Sequence, residues 1–125
     1  MDFEGASNNM KAFLTHYYSM FEANREALAG FFDGNSIFTF ESDVLLGQQN
    51  IIKHLIGLPF KTVKFIPSTV DTHPTIYNGY FTTVVGQLKT DDDPPHGFAQ
   101  SFHVKVDGQN PIILNSVFRL NIHNG

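Results

Sequence analysis

Three kinds of residue in this chain could do chemistry: a run of carboxylates, a set of histidines, and an excess of phenylalanine. The carboxylates gather in Asp91-Asp92-Asp93, closed by Pro94-Pro95, and Glu41 stands apart from them directly after Phe40. A carboxylate accepts two charge-assisted hydrogen bonds in a fixed geometry, so such acids could pair with an arginine or lysine. The same residues also suit a solvated turn, and on spacing alone the solvated turn is the better reading. Asp91-x-Asp93 lacks the other positions of an EF-hand loop, so no calcium is expected. The six histidines form no H-E-x-x-H and no cluster with carboxylates at ligand spacing, and there is no cysteine. Neither a zinc site nor a disulfide is therefore expected. No P-loop, G-x-G-x-x-G or G-x-S-x-G occurs, so the sequence points to no metal, no cofactor and no catalytic residue.

Thirteen phenylalanines and four tyrosines, with no tryptophan, are many large rings for 125 residues. They suit a lined cavity or a buried subunit interface as well as a core. Hydrophobic residues make up 42% and charged residues only 16%, a balance that argues for one folded domain spanning 1–125 rather than disorder. The net charge is -4 and the eight Lys and Arg are scattered, so no stripe could neutralise several phosphates and nucleic acid is not an expected partner. No apolar run approaches the roughly 18 residues of a membrane helix, and Met1-Asp2-Phe3-Glu4 has no basic leader. An intracellular setting without membrane insertion is expected.

These residues need elements to position them. From Ser7 to Glu22, Met10, Phe13, Leu14, Tyr17, Tyr18 and Phe21 fall on one helical face, with Ser7 or Asn8 as the cap. A second, shorter helix begins at Arg25 under an Asn24 cap, with Ala27, Leu28, Phe31 and Phe32 inward, and ends in Asp33-Gly34-Asn35. Ser36–Glu41 alternates as a strand with Phe38 and Phe40 on one side; Asp43 fits a hairpin turn and Val44-Leu45-Leu46 returns. Gly47–Ile56 reads as a third helix with Ile51, Ile52 and Leu55 inward, which must stop before Pro59. Strands follow at Thr62–Asp71, Tyr77–Lys89, Phe98–Val106 and Ile112–Ile122. Pro67 marks an edge or a bulge, Gly79 and Gly86 invite bends, and Asp107-Gly108 makes a turn. Phe98, Gln100, Phe102, Val104 and Val106 share one face, as do Leu114, Phe118, Leu120 and Ile122. Helices first and strands after predict an α+β fold: a cone-like curved antiparallel sheet wrapped around three helices from the N-terminal half. Its open mouth would admit a ligand or a partner's side chain.

Four stretches then carry a resemblance. Phe13-Leu14-Thr15-His16-Tyr17-Tyr18-Ser19-Met20-Phe21 resembles an F-x-x-H-Y-Y-x-x-F opening helix, and Leu58-Pro59-Phe60 follows the third helix. Val84-Val85-Gly86-Gln87-Leu88-Lys89-Thr90-Asp91-Asp92-Asp93-Pro94 resembles V-V-G-Q-L-x-x-D-x-D-P, and Phe118-Arg119-Leu120-Asn121-Ile122-His123-Asn124 resembles F-R-L-x-x-H-N. In this order, over most of the chain, they resemble the nuclear transport factor 2 family. The resemblance implies a cystatin-like cone fold and a homodimer that carries the GDP-bound form of the small GTPase Ran. Such carriers move between cytoplasm and nucleus, touch Phe-x-Phe-Gly repeats of nucleoporins at the nuclear pore, and catalyse nothing.

Carried over by position, Glu41 pairs with an arginine of Ran while Asp91 and Asp93 flank a lysine, and Asp92 is left to the turn. The implied cavity comprises Phe40, Leu58, Val63, Leu88, Thr90, His96, Phe118 and Leu120, an apolar cup for an aromatic ring of the GTPase's switch region. Thr83 and Val117 stand at the implied dimer positions on the outer sheet face. His16 and His123 match the family pattern as structural groups. The sequence departs from that pattern at Phe40, usually tryptophan; at His96, where methionine is common; and at Phe65, often histidine. The family's N-terminal tryptophan aligns near Ala6, with Phe3 close by. Two other classes are compatible with such a fold: an isomerase- or dehydratase-like enzyme, for which His96 with Tyr17 or Tyr80 is the available acid–base pair, and a dimeric scaffold that does not bind Ran.

Overall fold

Asp2 sets where the first helix begins. Its side chain accepts a hydrogen bond from the Gly5 amide (2.8 Å), and α1 runs Phe3–Ala23, several residues ahead of the expected start at Ser7 or Asn8. A cap at Asp2 rather than at Ser7 or Asn8 adds a turn that buries Ala6 beside Met10, Phe13, Leu14, Tyr17, Tyr18 and Phe21. The computed structural model describes residues 2–107 and 110–121. The Gly108 turn and the tail residues Ile122, His123 and Asn124 lie outside the described residues.

Asn24 then caps a 3-10 helix, Arg25–Phe31, by accepting from the Glu26 amide (3.2 Å). Three residues per turn place Leu28 and Phe31 on one inward line and turn Ala27 out to solvent, which corrects its expected burial. Strands β1 (Ile37–Phe40) and β2 (Asp43–Leu46) form a hairpin whose loop is Glu41-Ser42. Asp43 is therefore not in the turn but already paired with Phe40. Helix α2 (Gln48–Ile56) buries Ile51, Ile52 and Leu55 and stops at Gly57.

Four long strands complete the sheet: β3 (Val63–Thr75), β4 (Gly79–Thr90), β5 (His96–Asp107) and β6 (Asn110–Asn121). The order across it is β2-β1-β6-β5-β4-β3. Neighbours are antiparallel except β1 and β6, which run parallel in register Phe40↔Phe118. Everything between them in sequence serves as the long crossover that a parallel pair requires.

Curvature arises at two slips of register. Between Pro67 and Thr69 one residue of β3 is skipped, opposite Gly86. A Cβ on Gly86 would lie 2.3 Å from the Ile66 carbonyl oxygen and 2.7 Å from the Pro67 Cα, so only glycine lets β3 fold over β4 there. The second slip lies between His103 and Val104, whose partners Asn115 and Ile113 leave Leu114 unpaired. That bulge changes the inward residue: Ile113 is fully buried and Leu114 only partly, which corrects the face assigned to Leu114. Farther along, Phe98, Gln100, Phe102 and Val104 face inward as their alternation predicts, while Val106 is exposed at the strand end.

The helices lie against this concave face. Tyr17 packs edge-on to Phe102 at 5.3 Å and Phe13 edge-on to Phe31 at 5.3 Å, geometries that the ring quadrupole favours. Among these rings runs a small polar chain. The Tyr18 hydroxyl donates to Gln100 Oε1 (2.9 Å), Gln100 Nε2 to Ser116 Oγ (3.0 Å), and Ser116 Oγ to the Ser101 carbonyl (2.9 Å). Gln100 also adjoins Tyr17, but among the described residues the buried Tyr17 hydroxyl has no hydrogen-bond partner of good geometry. Burial pushes both tyrosine hydroxyls well above the ordinary phenol range, so both stay neutral. Among the described residues no helix is long and apolar enough to cross a membrane.

Candidate functional site

The packing leaves one end of the concave face unfilled. α1 ends at Ala23 and the 3-10 helix turns away, and beyond them lies a cavity of about 280 Å³. All eight expected residues line it: Phe40 from β1, Leu58 from the α2–β3 connection, Val63 from β3, Leu88 and Thr90 from β4, His96 from β5, and Phe118 and Leu120 from β6. Phe40 and Phe118, register partners on the parallel pair, stack at 4.7 Å with their planes 10° apart. Four lining residues were not assigned by sequence: Phe21, Pro59, Phe60 and Phe65. Pro59 and Phe60 belong to the quoted Leu58-Pro59-Phe60, Phe21 ends the inward rhythm of α1 and Phe65 alternates with Val63, so the signal for all four was present.

Thr90 and His96 are the polar members of the lining; the other ten side chains are apolar. Tyr17 and Tyr80 do not join His96 there. Tyr17 is buried among rings, and the Tyr80 hydroxyl accepts from Asn9 Nδ2 (3.1 Å) near the start of α1. His96 and these two tyrosines therefore do not form the acid–base pair expected of an enzyme reading.

Glu41 and Asp91 each follow a wall residue directly. Glu41 follows Phe40 in a left-handed backbone conformation (φ 58°); its amide donates to the Phe118 carbonyl (2.9 Å) and its carboxylate accepts from the Leu120 amide. Asp91 follows Thr90, also left-handed (φ 46°). Its Oδ1 accepts from the Thr62 amide (2.9 Å), the Lys61 amide (3.0 Å) and the Thr62 hydroxyl (3.3 Å). These bonds, the Thr62 amide foremost, hold its carboxyl below the usual aspartate value of 3.8. Asp91 is thus both an exposed acid and the tie between the β4–β5 turn and the start of β3. Asp93 donates its amide to the Thr90 carbonyl (3.0 Å), and among the described residues its carboxylate makes no hydrogen bond. Asp92 is exposed in the same turn.

Thr83 and Val117 lie on the opposite, convex face. Register places Thr83, Ser101, Val117 and Thr39 abreast across β4, β5, β6 and β1. Val117 is 41% exposed, and Ile37, Phe81 and Val85 are also uncovered on that face.

A family model described as the nuclear transport factor 2 (NTF2) domain matches residues 9–120, which include every wall residue and all three acids. The chain belongs to that family. Nuclear transport factor 2 of Neurospora crassa is 39% identical over 110 residues, 86% of this chain and 89% of that protein. Its counterpart in Saccharomyces cerevisiae is 33% identical over 123 residues, 97% of this chain and 96% of that one. The solved structure of nuclear transport factor 2 from Cryptosporidium parvum superposes with a TM-score of 0.88 at 36% identity, covering 95% of this chain and 94% of that one. The Neurospora crassa and Saccharomyces cerevisiae relatives are named for transport rather than for a reaction. The overall fold is thus shared with a solved member of the family.

Proposed function

We propose that this protein is a homodimeric carrier that binds GDP-bound Ran and takes it through the nuclear pore into the nucleus. The observation that supports this best is the convergence of all eight expected wall residues on one apolar cavity, with Glu41 and Asp91 each one residue beyond its wall. Such a cavity takes an aromatic ring, and acids on its rim take the cations beside that ring, the usual arrangement of a binding hot spot. Switch regions of GTPases reorder with the bound nucleotide, so a cavity that grips one discriminates GDP from GTP. On this reading the protein performs no reaction and shuttles between cytoplasm, nuclear pore and nucleus.

The convex face serves the dimer, with Thr83 and Val117 near its centre. A stable interface there would bury on the order of 1,200–2,000 Å². Weak contacts with Phe-x-Phe-Gly repeats gain from two copies per dimer while releasing quickly. The test is titration of the protein against Ran loaded with GDP and, separately, with a non-hydrolysable GTP analogue. Binding to the GDP form alone, lost on Glu41→Lys or Asp93→Lys, is expected; stranding the partner's cation costs roughly 2–5 kcal/mol. Asp93→Lys is the cleaner of the two, because the Glu41 carboxylate also ties the Leu120 amide. Equal binding to both nucleotide forms, or none to either, overturns the carrier reading.

A further inference from the structure

Five of the cavity's lining residues come from one short stretch: Leu58, Pro59, Phe60, Val63 and Phe65. Leu58–Phe60 crosses from α2 to β3 outside any strand, so no ladder of backbone hydrogen bonds fixes it. Side chains from elsewhere do so instead. Glu22 Oε2 accepts from the Phe65 amide (2.8 Å), and Asp91 Oδ1 takes the Lys61 and Thr62 amides. Neither of these ties holds a side chain of the cavity wall.

Arg25 does more. Its guanidinium carbon lies 4.9 Å from the centroid of the Phe60 ring, and Nη2 donates to the Phe60 carbonyl (3.3 Å). Its Nη1 is buried without an acceptor among the described residues. Hydrogen bonding alone would not bury that nitrogen; the ring face beneath the cation is what offsets its lost water. Arg25 is fixed in turn by its place at the start of the 3-10 helix, directly after the Asn24 cap. A planar fork can cover a ring and reach its carbonyl together, which a lysine ammonium cannot do.

We propose that Arg25 is a positioning residue for the cavity: it holds Phe60 upright as a wall for an incoming aromatic ring without touching that ring. The identity of the ring rests on the carrier reading above; the hold on the wall does not. A double-mutant cycle tests it, with Arg25→Met, Phe60→Leu and the pair. Two measurements are made on each: affinity for GDP-bound Ran, and uptake of toluene followed through the methyl resonances of Val63, Leu88 and Leu120. Arg25→Met is expected to weaken both by roughly 2- to 30-fold, the span of a cation–π contact. In the Phe60→Leu background the same change should cost less than about twofold, because its partner has gone. Arg25→Lys, the milder variant, should recover part of the loss. Independent, multiplying effects of Arg25→Met and Phe60→Leu would overturn the proposal, as would unchanged toluene uptake in Arg25→Met. Coupled toluene uptake without any Ran binding by the parent protein would leave the positioning role standing and the carrier reading refuted.

Discussion

The concave face of the sheet is filled with rings at one end and hollow at the other, though both ends are built from similar residues. At the filled end Tyr17, Phe102, Leu28 and Ile113 are completely buried, and Tyr17 has five aromatic neighbours within 6.2 Å. At the hollow end Phe40, Leu58, Phe60, Val63 and Leu120 are only partly buried around an empty volume of about 280 Å³. Residue type does not make the difference; the reach of the helices does. α1 covers the sheet as far as Phe21, and Asn24 then turns the chain aside. One end therefore supplies stability, and the other leaves apolar surface uncovered, which on the proposed carrier reading serves a partner.

The largest test of this division is truncation at each end. Phe102→Ala should destabilise the protein by roughly 3–5 kcal/mol, whereas Leu120→Ala, removing a half-buried side chain, should cost about 1–2 kcal/mol, both read by urea unfolding. Equal costs would erase the distinction. Filling the hollow is the next test. Val63→Phe places a ring where the partner's ring would go, and should lower Ran affinity at least about tenfold while moving stability by no more than about 1 kcal/mol. A smaller effect comes from the filled end. Tyr17→Phe removes a buried hydroxyl that has no partner among the described residues and should stabilise the fold by about 1 kcal/mol in thermal unfolding.

The smallest effect concerns pH at the hollow end. The Asp91 carboxyl is held below 3.8 in the fold, so its contribution is complete above pH 3.8 and disappears as pH falls through the lowered folded value. The difference in Tm between the parent and Asp91→Ala should be flat at neutral pH and shrink only below pH 3.8. A difference that instead grew in acid would mean that the carboxylate does not hold Lys61 and Thr62.

The filled end was the more legible in sequence. Phe98-x-Gln100-x-Phe102-x-Val104 alternates without interruption, and period two is sufficient where no bulge intervenes. Leu114 was misassigned because an unpaired residue in a strand leaves no mark in composition; only the register with β5 exposes it. The start of α1 was missed because Asp2 is as good a cap as Ser7 or Asn8, and propensity cannot choose between them. At the hollow end, eight wall residues followed from resemblance to a family, not from periodicity. Phe65 escaped although it shares a strand face with the expected wall residue Val63, two positions before it, so alternation carried the signal. The double duty of Asp91 was invisible, since its partners Lys61 and Thr62 lie some thirty residues away.

The parallel pairing of β1 with β6 bears on how the chain reaches its native state. β3 to β6 form a meander in which each strand meets the next in sequence, so their contacts close short loops. β1 must instead find β6 across most of the chain, a search whose entropy is repaid only once the meander offers its edge. The lip of the cavity, where Phe40 stacks on Phe118, is thereby assigned to the last stage of folding. Mutations there should chiefly speed unfolding, whereas mutations at Val84 or Phe102 should slow folding, and φ-values near zero at Phe38 and Phe40 would express that order. A mouth that closes last is also the part of the molecule that can open first, while the meander behind it stays intact.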